Sequence, residues 1–340
     1  MTPSTHTPAR NANIDMIRTV AIVAVVCVHI DVFGYTPRLS CLSDILLTAV
    51  MMMFVICSGH FIFPLRGSAR DFLLRRMRTL LPGYILAAMF YSWAQVFLAG
   101  DIIYSVGHRM EWMWLVSPVG FLWFVTMMIG LYLFVPFLSP WTAQASRRSV
   151  DVFLLLCLVA GSIPMAGVFT YIPSVCETTI GPFAGFLGLA VAGFWLKRWP
   201  YEGWSTLRRT VFWTLVAGAL IMSIISVPSA VRNGFNKELA SQSGANVALI
   251  AVGFYVLLRQ IKVKSPLAVA VFHSWGRATY GIYLIHIAIC SYLLPAVFPA
   301  LPAWANVLIT LTASYALTIT LTRLWHLCTV PFIKPAKTRP

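Results

Sequence analysis

The sequence predicts an all-α, polytopic membrane protein of about ten transmembrane helices with both termini in the cytoplasm. Three observations carry that prediction. Of 340 residues, 59% are hydrophobic and 10% charged, with a mean hydropathy of +0.81, well above the roughly 45–50% apolar content of soluble domains. Apolar segments recur along the whole chain, each about as long as a bilayer crossing requires. The basic residues are also placed unevenly. If the termini and even-numbered loops share one side, the other side keeps only Arg38, Arg109, Arg232 and Lys237, out of 25 lysines and arginines. The positive-inside rule puts the rich side in the cytoplasm. The net charge of +15 therefore orients the chain, and nucleic-acid binding is not expected.

The ten segments run at about 17–36, 43–64, 80–98, 114–138, 150–168, 180–196, 210–228, 245–259, 277–297 and 303–325. Ten polar, Pro/Thr-rich residues precede the first, with no cleavage site, so Met16 to Tyr35 reads as a retained span rather than a signal peptide. The second carries Ser58-Gly59, small residues whose default use is close helix approach; His60 follows near the inner surface. The third is entered through a basic cluster, Arg75, Arg76 and Arg78 before Pro82. In the fourth, Leu122-Trp123-Phe124 and Leu131 to Pro136 read as interfacial aromatics and a helix-ending proline. The polar stretch 229–244 is the longest outer loop, a candidate acceptor-side lid, and the following span is short at about fifteen residues. The ninth span holds His286, with Tyr283 and Thr279 on the same helix face. Apolar residues before Val271 leave its inner boundary open. Loops leave room for one membrane domain, 1–340, with polar tails at 1–12 and 335–340, and no internal repeat is visible.

Chemistry points first to Arg18 and His29. They stand eleven helical positions apart, so both fall on one face, within roughly 20° and about 16 Å apart. That places a cation at a membrane surface and an imidazole near the bilayer centre, where ionisable groups are costly and usually functional. Neutral imidazole accepts a proton near pH 7 and tolerates low dielectric, which suits a general base. Asp15 is an i,i+3 neighbour of Arg18 at the inner helix end; Asp31 or Asp44 is better placed as a carboxylate partner for His29. Arg75, Arg76 and Arg78 carry forked donors suited to phosphate, while simple topology accounts for part of that cluster. The seven cysteines show neither CxxC nor metal-ligand spacing, so no metal is expected; Cys41 and Cys176 both lie near the outer face, leaving a bridge open. No P-loop, GxGxxG fingerprint or HExxH is present.

Taken in order, these pieces resemble the acyltransferase 3 family of bacterial membrane O-acyltransferases. The residues that carry the resemblance are Asp15-x-x-Arg18-x10-His29, Phe54-x-x-x-Ser58-Gly59, the arginines at 75, 76 and 78, Leu122-Trp123-Phe124, and Tyr280-Gly281-Ile282-Tyr283-Leu284-x-His286. The compact length is similar to the subgroup that O-acetylates surface polysaccharides, such as the enterobacterial common antigen acetyltransferase. The resemblance implies a multi-pass protein of the bacterial inner membrane that takes acetyl-CoA from the cytoplasm. It implies a glycan or lipid-linked saccharide as acceptor, His29 and Arg18 as catalytic residues, and Arg75, Arg76 and Arg78 as donor-binding residues. Asp15, Ser58, Trp123, Tyr283 and His286 would support the site. The chain departs from the family pattern at Thr19, His60 and Phe121, and the last two bear on pocket polarity. A rival reading is a proton-coupled permease or exporter, since intramembrane histidines also serve proton relays.

Overall fold

A computed structural model describes residues 11–97, 122–162, 186–234 and 239–329. Among them every regular element is helical. The order is α1 (Ala12–Ile30), α2 (Pro37–Ile62), α3 (Ala69–Phe97), α4 (Trp123–Gln144), α5 (Arg147–Ser162), α6 (Phe186–Arg198), α7 (Thr206–Asn233), α8 (Ala245–Gln260), α9 (Pro266–Ile287) and α10 (Ala303–Thr329). Six of the described helical stretches are long and apolar enough to cross a membrane: Ala12–Ile30, Pro37–Ile62, Trp123–Gln144, Thr206–Asn233, Pro266–Val297 and Ala303–Leu324. Cys176, Phe121, Arg109, Lys237 and residues 1–10 and 330–340 lie outside the described set, as does 235–238 of the expected outer lid. Cys41 is buried with a free thiol.

Several boundaries differ from the sequence reading, each for a local reason. Helix α1 begins early because the Asn11 side chain accepts from the amides of Asn13 (3.0 Å) and Ile14 (3.3 Å). It stops at Ile30, short of the expected 36, because Asp31 adopts a left-handed conformation (φ 47°). The Asp31 carboxylate is then held by the Ser40 hydroxyl at 3.2 Å. Thr36 caps α2, accepting from the Leu39 amide at 3.3 Å, with Pro37 in the first helical position. Pro136 does not end α4, which continues through it and Pro140 to Gln144; packed membrane helices tolerate such interruptions. The apolar residues before Val271 belong to α9, which starts at Pro266. Helix α7 runs on to Asn233, through the first residues of the expected loop, and ends where Gly234 takes a φ of 77°.

Helix α2 is the axis of the bundle, packed by α1, α6, α7 and α8. Lipid supplies no hydrophobic drive between helices, so close approach and polar ties carry the packing. The Ser-Gly step in α2 does what the sequence reading assigned to it. A side chain on Gly59 would collide with the Ala190 backbone, and one on Gly193 with the Ile56 carbonyl, so α2 and α6 touch backbone to backbone. Polar ties are also present: Asn246 of α8 donates to Ser223 of α7 at 3.1 Å and to the Leu239 carbonyl at 2.9 Å. The outer surface is apolar, with Phe137, Ile225 and Leu308 among the exposed side chains, as suits a bundle facing acyl chains.

Candidate active site

A cavity of about 370 Å³ opens between α1, α2, α3, α4 and α9. Three guanidinium groups reach it from three helices: Arg18 of α1, Arg76 of α3 and Arg277 of α9. Its walls are aromatic, with Phe54, Phe124, Tyr132, Tyr280 and Tyr283, and Ser58 and Thr279 add hydroxyls.

Arg18 is locked in place by α9. Its Nη2 donates to Thr279 Oγ1 at 3.0 Å, and its Nη1 lies 3.8 Å from Asp15 Oδ1. Asp15 is buried and also accepts from Nδ1 of His273 at 2.8 Å. The carboxylate fits because Gly276 has no side chain; a Cβ there would stand 2.5 Å from Asp15 Oδ1. The i,i+3 pair expected at the inner end of α1 is therefore one part of a four-residue lock between α1 and α9.

The basic cluster divides. Arg76 faces the cavity, its guanidinium 5.3 Å from the Tyr132 ring centroid and 5.6 Å from that of Phe72. Arg75 and Arg78 are exposed and do not line it. The third cavity cation is instead Arg277, which the sequence reading did not single out. Its signal was available: Arg277 stands two residues before Thr279 on the helix that carries Tyr283 and His286.

Of the other expected residues, Ser58 lines the cavity and donates to the Phe54 carbonyl at 2.9 Å. Trp123 turns away and packs on Phe186, centroids 5.6 Å apart. Its neighbour Phe124 takes the cavity position, packing on Phe54 at 5.9 Å and on Tyr283 at 5.8 Å. His60 bonds through Nδ1 to the Tyr255 hydroxyl at 3.2 Å, a tie between α2 and α8.

The two histidines do meet, with ring centroids 5.2 Å apart. Their setting differs from the expected one. His29 is exposed on one side and sits in the last turn of α1, because the helix ends at Ile30; it is not midway along the span. It does not line the cavity, and neither Asp31 nor Asp44 bonds to it among the described residues. His286 is fully buried. Its Nδ1 lies 2.7 Å from the Tyr283 carbonyl, which can only accept, so Nδ1 carries the proton. Nε2 is left a lone-pair acceptor, buried with no partner. Tyr283 connects the parts, lining the cavity and packing on His286 at 5.8 Å.

Directly beyond His286, α9 widens into a π-helical turn, Ala288–Leu293. The Tyr91 hydroxyl of α3 inserts there, donating to the Leu284 carbonyl at 2.8 Å and accepting from the Ala288 amide at 3.1 Å. A side chain thus replaces one rung of the helical ladder, a feature common beside functional sites. No cluster able to hold a metal ion occurs among the described residues.

Long apolar helices around a cation-lined cavity define the class, a multi-pass membrane protein. The chain belongs to the acyltransferase 3 family: the family model, an acyltransferase domain, matches residues 11–323. No curated protein and no solved structure matches it.

Proposed function

We propose that this membrane acyltransferase is an O-acetyltransferase of the bacterial inner membrane, taking acetyl-CoA as donor and a hydroxyl of a cell-surface or lipid-linked glycan as acceptor. The observation that carries the reading is a pair of chemistries linked through Tyr283, which lines the cavity of three arginines and aromatic walls and packs on His286, whose ring meets that of the exposed His29.

Arg18, Arg76 and Arg277 suit the phosphates of a coenzyme A thioester, since guanidinium forks match phosphate oxygens. The aromatic walls suit its uncharged arm. His29 lies about 16 Å along α1 from Arg18, so both cannot touch one reacting atom. Arg18 therefore holds the donor, and His29 serves the thioester carbonyl and the acceptor. In that role His29 takes the proton from the glycan hydroxyl as its oxygen attacks the carbonyl carbon. The C–S bond then breaks, and the imidazolium returns the proton to the departing thiolate. Exposure of His29 helps here, since a bulky saccharide reaches the ring without entering the bundle.

The test is acetyl transfer from labelled acetyl-CoA by purified His29→Ala protein that still inserts and unfolds like wild type. The expected result is loss of at least about a hundredfold in rate, the contribution of a general base. Undiminished transfer would falsify the assignment. Substrate flux in vesicles without any transfer would favour an exporter instead.

A further inference from the structure

A second cavity, of about 290 Å³, lies between α5, α6, α7 and α8 and shares no lining residue with the first. Its size sits at the lower edge of the range for small-molecule sites, about 300–1,000 Å³. The lining is almost wholly apolar, with Leu154, Leu158, Leu189, Phe212 and Val252 among it. It opens sideways: the lining residues Leu155, Val211 and Leu215 are 59%, 50% and 50% exposed, on the flank that faces acyl chains.

One end of this groove is charged. Arg208 and Asp151 form an ion pair and both line it, while Trp195 Nε1 donates to Asp151 Oδ1 at 2.8 Å. Arg208 also lies over the Trp195 ring at 5.6 Å and the Trp204 ring at 5.8 Å. Arg147 stands close enough to interact electrostatically with both Arg208 and Asp151. Two cations thus share one carboxylate. The Nε and Nη2 of Arg147 are shielded from solvent yet bond to nothing. Shielded guanidinium donors without an acceptor are costly, and Arg147 stands one helical turn before Asp151, which lines the slot.

We propose that this groove is a lipid site that holds an acyl chain of an anionic glycerophospholipid, with the phosphodiester bound by Arg147 beside Arg208. The two free phosphate oxygens supply the acceptors that Arg147 lacks, and the lipid's net negative charge, which a choline headgroup would cancel, balances the second cation. The apolar slot continuous with Arg208 selects a lipid over a free anion. The charged mouth also agrees with its surroundings: Arg148, Lys197, Arg198 and Arg209 lie near the same helix ends. This assignment does not depend on the acyl-transfer reading.

The full-length protein in nanodiscs of phosphatidylcholine, alone or doped with phosphatidylglycerol, provides the test, with retained lipid counted by native mass spectrometry. Wild type is expected to keep one phosphatidylglycerol per chain. Arg147→Gln, which leaves the Arg208–Asp151 pair intact, should retain it at least about tenfold less well. Ala248→Trp should block the slot, and Leu155→Gln, on the exposed lip, weakens retention without burying a new side chain. Thermal unfolding identifies any variant that has not folded. Equal retention of phosphatidylcholine, or wild-type retention by Arg147→Gln, overturns the proposal. So does displacement by inorganic phosphate or glycerophosphate as effective as by whole lipid, which would mark a simple anion site.

Discussion

Neighbouring side chains on a helix point about 100° apart, and that rotation separates Arg76 from Arg75. Arg76 reaches the cavity past Phe72 and Tyr132, while Arg75 and Arg78 stay exposed. The donor-binding reading therefore divides the basic cluster. Arg76→Gln and Arg277→Gln should each raise the KM for acetyl-CoA about tenfold, the weight of one charge-assisted hydrogen bond. Arg75→Gln and Arg78→Gln should leave it within about twofold, as solvated cations contribute little. Steady-state kinetics over a donor titration decides this, and equal effects at all four positions would count against the cavity. His286 makes a separate prediction. Its protonated Nδ1 leaves Nε2 a partnerless acceptor, on a ring whose centroid lies 5.2 Å from that of His29. Removing that acceptor with His286→Leu should lower kcat about tenfold or more with KM for the donor unchanged. His286→Gln, whose side-chain carbonyl restores an acceptor, should recover part of the loss.

At the scale of elements, the crossing of α2 and α6 depends on two glycines. Any side chain at Gly59 or Gly193 meets backbone rather than a movable side chain, so the helices must separate to admit it. Gly59→Leu and Gly193→Leu should each abolish folded protein, measured as recovery of a monodisperse peak in detergent. Gly218→Ala, where an added Cβ meets nothing within 4 Å, should leave recovery unchanged. Helix α9 shows why its inner boundary stayed open in the sequence. An apolar window finds where a span is most hydrophobic, but the helix starts where its backbone first finds partners. Pro266 provides that start, eleven residues before Arg277. His286 is thus about 30 Å from the beginning of its helix, and so it meets His29 at the end of α1.

Across the whole molecule, the uneven distribution of arginine and lysine predicts an orientation. With both termini inside, a single cysteine at Ser68, between α2 and α3, should react with a membrane-impermeant maleimide only in inverted vesicles. A cysteine at Asn233, the last residue of α7, should react only in intact cells. Labelling of either from the opposite side would reverse the assignment and with it the side from which the donor enters.

Composition and periodicity by themselves determined the solvent of folding, the helical class, the shared face of Thr279, Tyr283 and His286, and the small-residue step at Gly59, because these follow from local spacing and transfer energies. Which of three adjacent arginines enters the cavity, the recruitment of Arg277, the replacement of Trp123 by Phe124, and the exposure of His29 were decided only by tertiary structure. Those features depend on where helices stop and on which neighbour presses against each face. A one-dimensional pattern records neither.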